Sequence, residues 1–253
     1  MRFASLGSGS SGNGLVVERG RTRVLMDCGF ALSETATRLG RLGIAPRDLS
    51  AIVVTHEHTD HLGGVARFAK RHAIPVHLTR GTALSLPLDF PASLVRFIDP
   101  HAPFAVDDLL VEPFPVPHDA REPVQFVFGD GAARLAVVTD LGMSTPHVEE
   151  KLTRCDALVL ECNDEAALHS GGSYPKALKE RIAGRFGHLD NDAAAAILAR
   201  IDCTRLRHLL AAHLSKENNR PELAVGALAG ALGCEPGWVG VATQADGFAW
   251  REV

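Results

Sequence analysis

The sequence predicts an α/β fold in which sheets and helices form a layered sandwich. Thirteen short apolar runs alternate with six stretches of helical spacing, and Gly and Pro residues separate them. At 253 residues and 46% hydrophobic composition, the chain can bury a sizeable core. The many strands with interspersed helices therefore favour sheet layers that are covered by helices.

The predicted strands are runs of four to eight residues, which is a usual length for strands in folded domains. In chain order they are RFASL, GLVVE, TRVLMD, AIVVT, PVHL, LVRFI, LLVEPFPV, VQFVFG, RLAVVTD, DALVLEC, LRHLLAAH, WVGVA and FAWRE. The predicted helices cover Ser33 to Leu42, Leu62 to Arg71, Pro146 to Leu152, Lys176 to Gly184, Asn191 to Arg200 and Pro221 to Leu232. No linker or repeat interrupts this succession, so we expect a single domain over residues 1–253.

Composition excludes several classes of protein. The net charge of −4 argues against broad electrostatic binding to nucleic acid, although local basic patches remain compatible with it. The five cysteines are scattered without a C-x-x-C pair, which suggests neither a disulfide framework nor a thiolate zinc site. No apolar run is long enough to span a membrane, and MRFASLGSGS does not have the pattern of a secretory signal. We therefore expect a cytoplasmic protein without a membrane partner.

The stretch VVTHEHTDHLGG packs three histidines and two acids into a short loop between a predicted strand and a predicted helix. Residues two apart in an extended segment point the same way, so His56 and His58 would offer imidazole nitrogens to one metal ion. Asp60 and His61, at the turn into the helix, would face a second ion. A polar loop would explain one histidine, but H-x-H-x-D-H after a buried strand favours a zinc-like site.

Further donors stand at the ends of three other apolar runs. His118 follows PFPVP, Asp140 follows LAVVT, and His213 follows LLAA. Each residue alone would be explained as a polar strand end, but together they complete two coordination sets, because a carboxylate can bridge two ions. The first set is His56, His58, His118 and Asp140, and the second is Asp60, His61, Asp140 and His213. A bridging solvent molecule would fit between the ions.

Five motifs, LMDCG, THEHTDH, PHD, VVTDLG and AAHLS, resemble in this order the signature motifs of the metallo-β-lactamase fold. The resemblance runs over nearly the whole chain. It implies a four-layer αββα sandwich with a dinuclear site at its edge. It also implies that Asp27, in the first motif, orients the metal-binding loop.

The residue type at the bridging position distinguishes between branches of this fold. An Asp at this position, here Asp140, resembles the phosphodiesterase and glyoxalase branches, whereas some β-lactamases have Cys there. Glu161 in LVLECN and His188 in GHLDN resemble a strand-end Glu and a histidine of ribonuclease Z that assist the leaving group near the scissile phosphate. The resemblance therefore implies a catalytic role for both residues. Without it, contacts with the backbone would explain His188 equally well.

The spacing of the motifs separates related nucleases. The span from His118 to Asp140 has no room for the ribonuclease Z arm that grips transfer RNA, and the span from Asp140 to His213 is too short for a β-CASP domain. The bare domain, with LGSGSSGNGLVVE at its start, most closely resembles the YycJ (WalJ) group, whose members are considered DNA exonucleases that degrade from the 5′ end. The resemblance implies a dinuclear phosphodiesterase that acts on DNA rather than RNA.

The expected mechanism uses two divalent ions, with zinc favoured over manganese and iron. A metal-bridging hydroxide would attack the phosphorus while the ions neutralise charge on the phosphoryl oxygens. Asp60 would also orient this nucleophile, and His188, supported by Glu161, would protonate the leaving oxygen. The native metal and the oligomeric state are left open by the sequence.

Two segments are expected to bind the substrate. Ser8, Ser10, Ser11 and Asn13 in GSGSSGNG would cradle a phosphate with hydroxyl and N–H groups, although a turn between strands explains this loop equally well. A basic segment before the catalytic histidine would contact the phosphate backbone, although a solvated helix face explains it slightly better. Its residues are Lys176, Lys179, Arg181 and Arg185. Tyr174, just before this segment, would stack on a base.

Two alternatives belong to other functional classes. A small-molecule metallohydrolase of the same fold, such as a cyclic phosphodiesterase, a lactonase or a thioester hydrolase, would use the same metals and would hydrolyse small esters but not duplex DNA. A non-enzymatic module would use the metals only to hold the fold. The second alternative is disfavoured, because structural zinc sites are normally closed, whereas a shared carboxylate leaves positions open to solvent.

Overall fold

The computed structural model describes residues 1–166 and 175–253, and these contain fourteen strands in two seven-stranded sheets. The strands of the first sheet are β1 (Arg2–Gly7), β2 (Gly14–Arg19), β3 (Thr22–Met26), β4 (Ala51–Val53), β5 (Val76–Leu78), β6 (Val95–Phe97) and β14 (Phe248–Glu252). Those of the second are β7 (Phe104–Val106), β8 (Leu109–Pro115), β9 (Val124–Gly129), β10 (Arg134–Val138), β11 (Ala157–Glu161), β12 (His208–Ala212) and β13 (Gly240–Val241).

Both sheets combine an antiparallel half with a parallel half. The first has the spatial order β14-β1-β2-β3-β4-β5-β6, and its parallel half runs from β3 to β6. The second has the order β13-β12-β11-β10-β9-β8-β7, and its parallel half runs from β10 to β13. Ligand sites of such sheets lie beyond the carboxyl ends of the parallel strands. Val138 pairs with Leu160 and Glu161 with Ala212, so the residues just after β10, β11 and β12 lie side by side.

The described helices lie mostly on the outer faces of the two sheets, whereas Lys176–Ile182 buries none of its residues there. They are α1 (Leu32–Arg41), α2 (Thr59–Leu62), α3 (Val65–His72), α4 (Arg80–Ala83), α5 (Pro146–Leu152), α6 (Lys176–Ile182), α7 (Asn191–Leu198) and α8 (Pro221–Leu232). Short 3₁₀ turns occur at Pro46–Asp48, Ala92–Leu94 and Pro236–Trp238. In the ranges 1–166 and 175–253, no helix has the length and apolar character needed to cross a membrane.

Three apolar clusters hold the layers together. The cluster between the sheets includes Phe3 and Phe126, which are fully buried. A second cluster packs the first sheet against α1 and α3, and a third packs the second sheet against α5, α7 and α8. The strands alternate between clusters as their period of two requires: Val24 and Met26 face the other sheet, whereas Leu25 faces the helices. This is the αββα sandwich that the sequence predicted.

The structure departs from the predicted elements near the histidine-rich loop. The predicted helix from Leu62 begins at Val65, and a separate turn of helix, α2, precedes it. Gly64 separates the two, and a Cβ atom built there would lie 2.0 Å from the carbonyl oxygen of Phe30. The backbone at Phe30 therefore lies so close to Gly64 that a residue with a Cβ atom would not fit there without a shift. The short elements β7 and α4, of three and four residues, were not predicted.

Candidate metal centre

The H-x-H-x-D-H segment leaves the carboxyl end of β4 and enters α2. His56 and His61 are both fully buried, whereas His58 keeps part of its ring at the surface. The Nε2 atom of His56 lies 3.0 Å from Nδ1 of His58, so both nitrogens face one point. The short α2 turn then carries Asp60 and His61 to the other side of that point.

His118 joins the first pair of histidines from the opposite sheet. It follows β8, and its Nε2 atom lies 3.3 Å from Nδ1 of His58. One nitrogen from each of His56, His58 and His118 falls within 4.8 Å of the others. Three imidazole nitrogens at this separation are a donor set suited to one metal ion.

A second donor set lies beside the first. The Oδ2 atom of Asp60 is 3.3 Å from Nε2 of His61 and 3.4 Å from Nε2 of His213. His213 follows β12 and is 2% exposed. Its φ of 54° lies in the left-handed region, which is uncommon for a residue other than glycine and frequent at functional sites.

Asp140 stands between the two donor sets. It follows β10 and is 1% exposed. Its Oδ2 atom lies 3.1 Å from Nε2 of His61, and its Oδ1 atom lies 3.7 Å from Nε2 of His118. Oδ2 is buried and accepts no well-formed hydrogen bond from the described residues. A buried carboxylate oxygen without such a partner is costly unless a cation binds it, so the arrangement fits a bridging metal ligand.

Each buried histidine has its Nδ1 atom held by a neighbour outside the donor sets. Nδ1 of His61 is 2.8 Å from Oδ2 of Asp27, and Nδ1 of His118 is 3.0 Å from the carbonyl oxygen of Gly187. An Nδ1–H group that donates to an oxygen leaves the Nε2 lone pair free to bind a metal. Asp27 itself has a φ of 60°, and its carboxylate contacts the ring of His61 from outside the donor sets.

Thr55 links Asp27 to the first histidine. Its Oγ1 atom donates to Oδ2 of Asp27 at 2.9 Å and lies 2.9 Å from Nδ1 of His56, so it accepts from that ring. The backbone N–H of Thr55 donates to Oδ1 of Asp27. One carboxylate thus fixes the orientation of two imidazole rings.

His58 is oriented in the opposite sense, with Nδ1 facing the donor set. Its Nε2 atom lies 3.6 Å from Oδ1 of Asp119, the residue after His118. The carboxylate of Asp119 therefore faces the outer nitrogen of the one histidine in the H-x-H-x-D-H segment that Thr55 and Asp27 do not reach.

The electrostatics of the centre favour positive charge. Burial opposes protonation of His61, but Asp140 and Asp27 outweigh this and raise the pKa of His61 well above its usual value. Burial lowers the pKa of His56 well below its usual value, so its ring is neutral and available as a ligand. The donor sets therefore combine imidazole nitrogens with carboxylate oxygens, which are the ligands that a divalent cation such as zinc needs.

His188 and Glu161 form a pair at the edge of the donor sets. Oε1 of Glu161 accepts from Nδ1 of His188 at 2.7 Å and from Nδ1 of His213 at 3.0 Å. Oε2 of Glu161 accepts the backbone N–H groups of Leu141 and Leu189. Burial opposes the charged form of His188, but Glu161 more than offsets this and raises the pKa of His188.

The residues expected to cradle a phosphate divide into two pairs. Ser8 and Asn13 are 6% and 3% exposed, and their polar atoms form hydrogen bonds within the protein. Asn13 Nδ2 donates to Oδ2 of Asp60 at 3.1 Å, and Ser8 Oγ donates to Oδ1 of Asn13. Both side chains are thus buried beside the donor sets, and the substrate contact expected for them stays a prediction. Ser10 and Ser11 are exposed.

The basic segment forms α6 and the turn after it. Lys176 is 89% exposed and pairs with Glu180 on the same helix, which leaves it pointing into solvent. Lys179 is partly buried. Arg181 instead turns toward the histidines and pairs with Asp119. Tyr174 lies outside the described residues.

Four polar residues that support the site were not predicted from the sequence. Thr55 and Asp119 stand next to predicted ligands, and that adjacency was the available signal. Gln125 is a buried amide in the apolar run VQFVFG, where it accepts from the N–H of Thr139 and donates to the carbonyl oxygen of Asp140. Asn163 Nδ2 donates to the carbonyl oxygen of His213 at 2.8 Å, but its position in the sequence gave no sign of this.

The sandwich and its histidine and carboxylate centre define a metal-dependent hydrolase of the metallo-β-lactamase fold. The chain belongs to the β-lactamase superfamily, since the profile of the Beta-lactamase superfamily domain matches residues 22–213. This establishes the predicted superfamily and enzyme class.

Individual relatives agree with this assignment. The chain is 32% identical to the exodeoxyribonuclease YycJ of Bacillus anthracis, over 88% of this chain and 86% of that protein. It is 29% identical to the exodeoxyribonuclease WalJ of Streptococcus pneumoniae, over 88% and 85% of the two chains. Among solved structures, the metallo-β-lactamase fold protein YhfI from Bacillus subtilis matches 99% of both chains at 15% identity with a TM-score of 0.74, which confirms the fold.

Proposed function

We propose that this protein is a dinuclear metal-dependent phosphodiesterase that degrades DNA as a 5′-to-3′ exonuclease. The observation that carries the proposal is the position of Asp140 between two donor sets, with the His188 and Glu161 pair at their edge. The relatives named exodeoxyribonucleases support DNA as the substrate.

Two coordination sets follow from the distances. His56, His58, His118 and Asp140 would hold one ion, and Asp60, His61, Asp140 and His213 would hold the other. Charge supports bound cations. Asp27, Asp60 and Asp140 lie in or against the donor sets, and no Lys or Arg within the described ranges pairs with any of them.

Zinc is proposed first because imidazole supplies most of the donors, and manganese or iron would suit the same set. Two bound ions of this kind supply a water of lowered pKa and positive charge against the phosphoryl oxygens. The remaining chemistry belongs to side chains. Asp60, held by Asn13, would orient the attacking water.

His188 would serve the leaving group. Glu161 accepts from its Nδ1 atom, so the Nε2 atom faces away from the carboxylate and carries no hydrogen bond to the described residues. A carboxylate that raises the pKa of a histidine favours the protonated ring, which can donate a proton to the departing oxygen. The position of this ring beside the donor sets agrees with such a transfer.

The test uses linear duplex DNA labelled in separate samples at the 5′ and the 3′ end. Zinc- or manganese-loaded protein should release labelled mononucleotide at once from the 5′-labelled strand and a descending ladder from the 3′-labelled strand. Asp140→Ala should abolish both patterns, whereas Asp246→Ala, at a side chain that is 82% exposed, should change neither. The reverse pattern would refute the polarity.

Two parallel reactions separate the alternatives. An RNA strand of the same sequence should be degraded more slowly than DNA, and equal rates would remove the preference for DNA. Hydrolysis of bis-p-nitrophenyl phosphate with intact DNA would overturn the nuclease proposal and identify a small-molecule phosphodiesterase.

A further inference from the structure

A cleft of about 240 Å³ opens over the metal centre. Its lining includes His58, His188 and Ser10, together with three residues of α6, Leu178, Arg181 and Ile182. Among the described residues that line this cleft, Arg181 is the one with a permanent positive charge. Its side chain is 61% exposed, so the guanidinium is accessible from the opening.

Asp119 fixes the position of this guanidinium. Nε of Arg181 donates to Oδ2 of Asp119 at 2.5 Å. The other oxygen of Asp119 lies 3.6 Å from Nε2 of His58 and 3.5 Å from Nε2 of His118. The Nη atoms of Arg181 form no hydrogen bond with residues 1–166 or 175–253, so four of its five N–H donors have no partner in that part of the chain.

We propose that Arg181, held by Asp119, binds the phosphate next to the scissile phosphate on a polynucleotide strand. This rests on the proposed nuclease function and deepens it. A guanidinium with a fixed Nε can offer parallel N–H groups to two oxygens of one phosphate, which a flexible lysine cannot. The carboxylate of Asp119 lies between the guanidinium and the nearest histidine. The guanidinium therefore reaches a neighbouring phosphate rather than the one that lies among the metal ligands.

This placement makes Arg181 a determinant of specificity. A polynucleotide carries a second phosphate that occupies the guanidinium, whereas a small diester has no group to reach it. The other cations of the segment, Lys176, Lys179 and Arg185, do not line this cleft. Lys176 pairs with Glu180, and Nε of Arg185 lies 3.4 Å from Sδ of Met143. The cleft therefore distinguishes strands from isolated diesters through one side chain.

The test compares kcat and KM on an eight-nucleotide single-stranded DNA and on bis-p-nitrophenyl phosphate, with metal content measured for every variant. Arg181→Gln should reduce kcat/KM on the oligonucleotide about 10- to 100-fold, mainly through KM, because a charged hydrogen-bonded contact is lost. Activity on the small diester and metal content should stay within about twofold. The slope of log(kcat/KM) against log salt should become shallower by about 0.7, as expected for one phosphate contact to a single strand.

Two further variants define the part of Asp119. Asp119→Ala should raise KM for the oligonucleotide, and the double variant with Arg181→Gln should be no worse than the more impaired single variant, because both remove one unit. Arg181→Lys should recover only part of the loss. Arg41→Gln is the matched control. It removes the exposed ion pair between Arg41, on α1, and Asp246, and it should leave activity on both substrates unchanged.

Three outcomes would overturn this proposal. An equal loss on both substrates in Arg181→Gln would make the residue a general support of the centre, and an unchanged KM for the oligonucleotide would remove it from the binding site. In both cases DNA hydrolysis by the wild-type protein would leave the nuclease function intact. A wild-type protein that hydrolyses only the small diester would refute the nuclease function and this proposal together.

Discussion

Glu161 accepts a hydrogen bond from His188 at 2.7 Å while it is itself fully buried at the end of β11. The same carboxylate also accepts from His213 and from two backbone N–H groups. His188 is therefore oriented by a group that is fixed from four directions. A ring held in this way is suited to transfer a proton without reorganising the site.

Replacing His188 with alanine should separate chemistry from metal binding. We expect His188→Ala to lower kcat on DNA about 10²- to 10⁴-fold, the usual contribution of a positioned acid, with metal content unchanged. Asp140→Ala should lose metal and activity together. Metal analysis after gel filtration and single-turnover kinetics check this. Equal loss of metal in both variants would contradict the assigned roles.

Thr55→Val should weaken metal binding without removing a ligand. The valine has a similar shape but cannot join Asp27 to His56, so the ring of His56 loses its fixed tautomer. Metal affinity should fall about 10- to 100-fold, as for other partners of metal-binding histidines. Competition with a chromophoric chelator measures it. Thr37→Val, at an exposed hydroxyl on α1, is the control; if the two variants bind metal alike, the role of Thr55 is wrong.

Asp156 should contribute to the acid sensitivity of the fold. Burial raises its pKa, but the N–H of Arg134 and the guanidinium of Arg205 outweigh this and hold the pKa below its usual value. Because the pKa of Asp156 is lower in the folded state, its ionised form stabilises the fold above the unfolded-state pKa of about 3.9. This stabilisation is lost as the pH falls through the folded-state pKa.

The corresponding measurement is urea unfolding of the wild-type protein and Asp156→Asn. The variant should be less stable by about 1 to 3 kcal/mol at pH 7, and the difference should shrink below about pH 4. Asp246→Asn, at an exposed carboxylate, should show a much smaller effect at both pH values. A difference that grows on acidification would have the wrong sign for this mechanism.

Two glycine substitutions should have opposite effects on stability. Gly64→Ala places a Cβ atom 2.0 Å from the carbonyl oxygen of Phe30, so the histidine-rich loop must shift and the protein should lose about 1 to 3 kcal/mol. A Cβ atom at Gly40, in α1, would meet nothing within 4 Å. Gly40→Ala should gain about 0.5 to 1 kcal/mol. Thermal and urea unfolding decide between these signs; a neutral Gly64→Ala would show that the loop is not tightly held.

The sequence was most informative where chemistry and spacing coincide. His56, His58 and His61 were predicted from one loop, and the strand-end positions of His118, Asp140 and His213 suggested that they would converge. The supports of these residues were harder to predict, because their function depends on neighbours that only the fold supplies. Asp119 and Arg181 are 62 residues apart and meet across the cleft, and no local pattern links them.

Asn13 shows where the sequence was less informative. Its place in a loop rich in Gly and Ser suggested an exposed phosphate cradle, but its amide is buried against Asp60. Composition does not distinguish a loop that faces the solvent from one that packs under a neighbouring loop. The same limit applies to β7 and α4, which are too short for periodicity to reveal.

Both donor sets take members from both sheets: the loop after β4 belongs to the first, and His118 and His213 follow strands of the second. An ion bound to either set is therefore a cross-link between two layers that also meet through apolar contact and through hydrogen bonds such as that of His208 with the carbonyl oxygen of Glu252. Any ion that binds only the folded chain also adds its binding free energy to that of unfolding, about 2.7 kcal/mol at a free concentration one hundred times its dissociation constant. The stability of the contact between the two sheet layers thus depends on the concentration of free metal. The melting temperature should therefore rise as that concentration rises.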